Sequence, residues 1–453
     1  MVQSAGIAES SEPTSKHWTR RVLGQISNAP ALTQRETRVL WLVSLVSLFD
    51  QYDRSLIGLA LPQIQAGLGI AEGQVGLLGS FVRLGALPAI FIALAADRIG
   101  RRRTLMGTVL AYTLLTGASA FAPDPRTFIG LQFLSRIFGT AEMLIAIVVI
   151  SEEFSAATRG WAVGAFLAIQ ACGVGLAAIL LPVAASYPQG WRGLYVVGLG
   201  PLLLLAWLRR SLPETARFEA RERELGERLT RQRFFAPMVA LVRAYPRRFV
   251  ALTANLFFMG IAYAAADFMT VKYLQQKHGW TPGQVSTLYI CAGLFAIVGA
   301  PLLGRLGDRI GRRPVAIGSS VGVVLFALAF YNGSGLWLVT LWVFAIFALV
   351  GNDALMSAFG AELFPTSHRS TAAAARLIVA TLAASLGLAL ESALFELTGS
   401  HWTAISILLS LGLASPLVIA LGFPETAGRS LEEISPEHEG LLGEMHESAH
   451  PLR

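Results

Sequence analysis

Several ionisable side chains fall inside stretches that are otherwise Leu, Ile, Val, Ala, Gly and Phe. Asp50, Asp53 and Arg54 lie in the first such stretch and Arg83 in the second. Arg136 and Glu142 lie in the fourth, Asp267 in the seventh, Asp353 in the tenth and Arg376 in the eleventh. A charge at the centre of a bilayer costs about 2.5–3.5 kcal/mol, so such a group faces a partner or a wet cavity. Two kinds of chemistry suit these residue types. A carboxyl group whose burial and guanidinium neighbours change can bind a proton in one arrangement and release it in another. An Arg can hold a carboxylate through two parallel hydrogen bonds. Nothing in the chain spaces residues for covalent catalysis. There is no metal-ligand cluster, no phosphate-binding loop and no nucleophile set beside a base. The expectation is therefore a protein that is not an enzyme, hydrolyses no ATP and needs no cofactor.

The elements that carry these groups are hydrophobic helices. The chain is 54% hydrophobic and 14% charged, against roughly 25% charged for a soluble protein. Its charges cluster between apolar segments of about 20 residues, each enough to cross the hydrocarbon layer. Twelve spans are predicted near 38–61, 74–96, 104–122, 127–151, 160–186, 191–209, 249–273, 284–303, 315–333, 336–358, 370–396 and 402–422. Alternate loops hold the arginines: Arg98, Arg101 to Arg103, Arg159, Arg305, Arg309, Arg312, Arg313 and Arg369. The positive-inside rule puts those loops and both termini in the cytoplasm of an inner-membrane protein. The net charge of +7 is thus an orientation signal and implies no nucleic-acid partner. Cys172 and Cys291 lie within spans, so no disulfide framework is expected. Residues 1–37 are a polar tail without a cleavable signal. Residues 210–248 form a linker in which Arg221 to Glu224, Glu227 and Arg228 have the spacing of a surface helix. Residues 423–453 form an acidic tail expected to be mobile.

The chain repeats itself. Asp97-Arg98-Ile99-Gly100-Arg101-Arg102 recurs 211 residues later as Asp308-Arg309-Ile310-Gly311-Arg312-Arg313. Pro213-Glu214-Thr215-Ala216 recurs at the same offset as Pro424-Glu425-Thr426-Ala427. Glu152 and Arg159 match Glu362 and Arg369, and Glu142 matches Asp353. The expected fold is an all-α membrane protein of twelve transmembrane helices in two six-helix bundles, 38–209 and 249–422, with a site between them near the midplane. A monomer suffices for that architecture.

These motifs resemble those of the major facilitator superfamily over nearly the whole chain. Its signature G-x-x-x-D-R-x-G-R-R is complete from Gly304 to Arg313, while Ala93 stands for the leading Gly in the first copy. Because that Gly lets helices approach, looser packing is expected at the first copy. Pro213 to Arg217 and Pro424 to Ile434 resemble sugar-porter elements. Asp50-Gln51-Tyr52-Asp53 is similar to the D-G-[FY]-D element of aromatic-acid:proton symporters, and Glu362 to Thr366 with Arg369 is common to both branches. Span seven lacks the Q-Q-x-x-G-x-N of sugar porters, and span five lacks the G-P-x-x-G-G of antiporters.

The resemblance implies alternating-access transport of a small molecule across the bilayer, with Asp53 and Arg136 as the proton-coupling pair. Asp50 shares a face with Asp53 and joins that set. Glu142 and Asp353, equivalent by the repeat, are expected to face each other across the cavity. Arg136 and Glu142 are six apart, roughly 240° around a helix, so Glu142 needs a partner of its own. Substrate contacts are expected from Arg54, Gln170, Tyr263, Asp267, Asp353 and Arg376, with Phe268 and Tyr289 as further aromatic lining and Arg83 as a further cation. The repeated loops are expected to act as gates. Asp97 and Asp308 would cap a neighbouring helix, while Arg98, Arg101, Arg102, Arg309, Arg312 and Arg313 would pair with Glu152 and Glu362 beside Gly100, Gly304, Gly311, Arg159 and Arg369. An organic or aromatic carboxylate is the favoured substrate class. A sugar or polyol, export of amphiphilic compounds, and a non-transporting receptor are the alternatives.

Overall fold

The computed structural model describes residues 30, 32–155, 158–201, 236–365, 368–429 and 431–435. The fold is all-α, with twelve transmembrane helices in two six-helix bundles. Among the described residues nine helices are long and apolar enough to cross a bilayer. Span one, Gln34–Leu59, falls short of that composition because it carries Asp50, Asp53 and Arg54. Span three, Arg101–Ser119, opens on three arginines and holds four threonines. Span six begins as Trp191–Val197 and runs out of the described residues at position 201.

In the first half, span two comprises Val75–Leu84 and Ala89–Ile99 around a turn at 85–88, span four is Pro125–Glu153 and span five is Arg159–Ala185. In the second half, span seven is Pro246–Lys272 with a π turn to Lys277, and span eight is Pro282–Ile310. Spans nine, ten and eleven are Arg312–Asn332, Trp337–Glu362 and Arg369–Thr398. Span twelve is His401–Leu411 and Ala414–Gly422. The ends follow local chemistry. Thr33 with Glu36 and Thr281 with Gln284 form capping boxes, and Asp124 and Ser400 each cap the next helix through a side-chain oxygen.

The repeated loop is shorter than its sequence suggests. The Asp-Arg-Ile and Arg-Arg segments are both helical, and one glycine joins them. Gly100 has φ 104° and ψ 137°, and Gly311 has φ 109° and ψ 137°. Positive φ is why glycine stands there, and the matched angles show the repeat at the level of backbone conformation. The expected surface helix at 221–228 lies outside the described residues, as do most of both tails. The part of the acidic tail that is described is docked. Arg248 donates to Leu363 O at 2.9 Å and to Ile434 O at 2.8 Å.

Span one packs on span five and span seven on span eleven, and the two halves meet through spans two and eleven and spans five and eight. Polar contacts between halves lie at the end opposite the arginine-rich loops. Gln63 Nε2 donates to Gln275 Oε1 at 3.0 Å, Ser286 Oγ to Ala178 O at 2.5 Å, and Leu77 N to Ser392 Oγ at 3.1 Å. Nearer the middle, Ser80 Oγ lies 2.9 Å from Ser385 Oγ. The chain is thus closed at that end.

Candidate functional site

Below the closed end, near mid-helix, the halves part around a cavity of about 330 Å³, bordered by Asp50, Asp53, Arg54, Arg83, Arg136 and Asp267 among others. Span one supplies three of these within five residues. Asp50 Oδ2 lies 2.6 Å from Arg54 Nη2, one helical turn on, and Arg54 also donates to Gly139 O at 2.9 Å. Span four comes this close only because position 139 is glycine, since a Cβ there would stand 2.1 Å from Asp50 Oδ1. Asp53 points the other way, toward Thr116 and Gly198. It is 7% exposed, and Thr116 is the hydroxyl within reach of its carboxylate. Next door, Tyr52 anchors span one to span six by donating to Leu194 O at 2.8 Å.

The expected Asp53–Arg136 pair is not formed. Arg54 lies on the face of Asp50 by helical spacing and neutralises that carboxylate, while Asp53 faces spans three and six. Arg136 borders the cavity without an ion pair among the described residues, though Asp50 is near enough to interact with it electrostatically, and its Nε is buried and unbonded. Across the cavity Arg83 Nη2 lies 3.7 Å from Asp267 Oδ2, a loose pair joining spans two and seven, with Asp267 about half exposed.

Glu142 and Asp353 do not face each other. Glu142 is fully buried inside the first half and accepts from Ser47 Oγ at 2.8 Å, the separate partner its position requires. Asp353 is exposed and interacts electrostatically with Arg376 of span eleven. Arg376 donates to Ser357 Oγ at 3.3 Å within the second half. Neither Asp353 nor Arg376 borders the cavity. Gln170 and Tyr263 are buried, at 7% exposure each, and do not border it, although Tyr263 neighbours Asp267 and Tyr289, which do. Phe268 and Tyr289 do line it.

At the arginine-rich face the repeat produces two ion-pair clusters. Arg101 Nη2 lies 2.9 Å from Glu152 Oε1, and Arg312 pairs with both Asp308, at 3.1 Å, and Glu362. The side chains of Asp97 and Arg98 are outside the description. Asp308 is not a cap. Glu425 takes that place, accepting from Arg312 N at 2.8 Å and Arg313 N at 3.1 Å. A residue from beyond span twelve can do this because span nine starts directly after Gly311 with no cap of its own. Burial opposes the charge of Glu425, but the backbone N–H groups of Ala427, Arg312, Arg313 and Thr426 outweigh it and hold the carboxyl below the usual range. Arg313 also donates to Ala420 O. Arg309 is exposed, and Arg159 and Arg369 start spans five and eleven with buried Nε atoms. Gly304 has no neighbour within 4 Å of where a Cβ would stand, so the close helix approach expected there is absent from this arrangement.

Two ionisable groups inside spans were missed on reading the sequence, Lys272 and Glu391. They meet Glu72 and His401 at the closed end. The signal was present, because both interrupt apolar runs, but each sits near a span end where a charge reads as interfacial.

The comparisons agree with this architecture. A gallate transporter of Pseudomonas putida is 27% identical over 428 residues, covering 89% of this chain and 92% of its own. The sialic acid transporter NanX of Escherichia coli K12 is 24% identical over 402 residues, covering 86% and 94%. Among solved structures, an inward-open conformation of the xylose transporter XylE from Escherichia coli superposes with a TM-score of 0.70 at 18% identity, covering 88% of this chain and 99% of that one. The Major Facilitator Superfamily model matches residues 43–281 and 252–442, and with twelve spans in two repeated bundles around a charged midplane cavity the chain belongs to that superfamily.

Proposed function

We propose that this chain is a proton-coupled importer of a small organic carboxylate, working by alternating access. The observation that carries the reading is Arg136, a guanidinium beside the cavity that forms no ion pair among the described residues, its carboxylate neighbour Asp50 being bound to Arg54. Arg83 adds a second cation, held only loosely by the half-exposed Asp267. A bound carboxylate would complete both through charge-assisted hydrogen bonds. The cavity volume is at the low end of the ~300–1,000 Å³ range of small-molecule sites, which suits a one-ring or short-chain acid. Relatives named as gallate and cis,cis-muconate transporters handle carboxylate anions, which supports the same class. Asp53, buried and without an ion pair among the described residues, is the proposed proton carrier. The orientation follows the arginines: the loops holding Arg101 and Arg312 face the cytoplasm, and the closed end faces outward. A monoanion entering with one proton moves no net charge, so the pH gradient alone drives it.

The test is uptake into proteoliposomes under an inward proton gradient, with aromatic acids, aliphatic acids, hexoses and polyols, each with and without an uncoupler. Uncoupler-sensitive accumulation of an acid supports the reading. Accumulation of a hexose or polyol instead replaces it with sugar symport, for which Gln51, Gln132 and Ser135 of the cavity wall supply hydrogen-bonding groups. Accumulation of none of them overturns it.

A further inference from the structure

The closed end holds a charged cluster that the cavity chemistry does not use. Glu72, at the start of span two, belongs to the first half. Its Oε2 meets Lys272 of span seven and lies 3.0 Å from His401 Nε2 of span twelve. The other ring nitrogen, His401 Nδ1, lies 2.5 Å from Glu391 Oε1 of span eleven. Gln65 accepts from Lys272 at 2.6 Å. Other ionisable groups nearby are Lys277, over the Tyr273 ring at 5.0 Å, and His278, whose ring is 4.7 Å from the same tyrosine. Glu396 lies beside Gly73.

Hydrogen-bond counting requires an extra proton here. A neutral imidazole has one N–H, yet both nitrogens of His401 face carboxylate oxygens. Without another proton, one lone pair on the ring opposes one on a carboxylate. The ring cannot turn away, because Phe395 stacks on it at 4.0 Å with 14° between planes. Water cannot relieve Glu391, which is fully buried and whose Oε2 abuts Gly76, where a Cβ would stand 2.5 Å from it. Charge counting agrees: two carboxylates against Lys272 leave one negative charge, which a single proton cancels, and an uncompensated buried charge is strongly unfavourable. Access exists, since an open pocket of about 270 Å³ bordered by Glu72, Lys277, Phe395, Ser400 and His401 reaches the half-exposed Glu72.

We propose that Glu72, His401 and Glu391 form a proton-binding site that is complete only when the two halves close at this end, so that one proton taken from the outside is linked to outer closure. When the halves part, Glu72 leaves His401 and Lys272, the ring regains water on one nitrogen, and the proton is no longer required. Falling external pH therefore favours closure, by up to about tenfold in the closed-to-open ratio per pH unit for one proton. The inference rests on the alternating-access reading and not on the identity of the substrate.

The test is dipolar spectroscopy on the full chain in nanodiscs, without substrate, from pH 5 to 9. Labels go on Phe121→Cys and Leu336→Cys, both exposed in loops at the closed end of opposite halves, in a Cys172→Ala, Cys291→Ala background. The wild type is expected to gain the short-distance population as pH falls. Glu391→Gln gives His401 an amide donor and a neutral partner, so closure should become independent of pH. His401→Gln, an independent second variant, should also flatten the response. A wild type insensitive to pH overturns the proposal, as does a wild-type slope in either variant. A failed uptake panel with this response intact would remove the substrate assignment and leave the proton site.

Discussion

Arg136 and Arg54 border the same cavity, carry the same charge and should respond oppositely to removal. Arg136 has no ion pair among the described residues and its neighbour Asp50 keeps Arg54, so Arg136→Gln strands no protein carboxylate and should leave thermal stability nearly unchanged. If the substrate carboxylate bonds to it, the variant loses one charge-assisted hydrogen bond, worth about 1.5–3 kcal/mol, or about a 10- to 150-fold rise in Kd. Arg54 is bound to Asp50 at 2.6 Å and to Gly139 O at 2.9 Å, and Asp50 is 3% exposed. Arg54→Gln therefore strands a buried carboxylate and should destabilise the fold by about 3–5 kcal/mol. The assay pairs isothermal titration of the acid found in the uptake panel with thermal unfolding, both in one detergent. A Kd for Arg136→Gln within about threefold of wild type, less than 1 kcal/mol, refutes the assignment of that guanidinium to the substrate. A large loss of stability in Arg136→Gln would refute its freedom from protein partners.

Three further outcomes follow from the same geometry. Asp53→Asn should abolish accumulation driven by a pH gradient while counterflow exchange of substrate continues; loss of both, with binding intact, would deny Asp53 a specific coupling role. Gly139→Ala would place a methyl 2.1 Å from Asp50 Oδ1 and should destabilise by at least about 1–3 kcal/mol, the usual range for overpacking; an unchanged melting temperature would contradict the packing. Glu425→Ala removes the cap of span nine and should cost about 1–2 kcal/mol at neutral pH. Because the folded state holds the Glu425 carboxyl below its unfolded value, its contribution is present above the unfolded value of about 4.3 and is lost as pH falls through the folded value. The difference between wild type and variant should therefore vanish in acid, and a difference independent of pH would show that Glu425 does not act through its charge.

The fold was legible from the chain alone because its causes are local and repeated. A run of about 20 apolar residues must become a helix in hydrocarbon, where unpaired backbone groups are not tolerated. A duplication 211 residues apart then fixes two equivalent bundles. Gly100 and Gly311 could be found the same way, since positive φ is a property of single residues. Which residues the folded chain would bring to the cavity was also partly visible, because Asp50, Asp53, Arg54, Arg83, Arg136 and Asp267 are charges where none belongs without a reason. Their pairing was not. Whether Arg136 meets Asp53 depends on how spans one and four rotate about their axes, and a glycine at 139 settled that in favour of Asp50 with Arg54. Glu142, Asp353, Arg376, Gln170 and Tyr263 are ionisable or polar in the expected spans but do not border this cavity, and helix rotation is set by packing against neighbours distant in sequence. The cluster of Glu72, Lys272, Glu391 and His401 shows the limit most clearly. Each member near a span end reads as an ordinary interfacial charge, and only the closure of one half on the other makes them a single site.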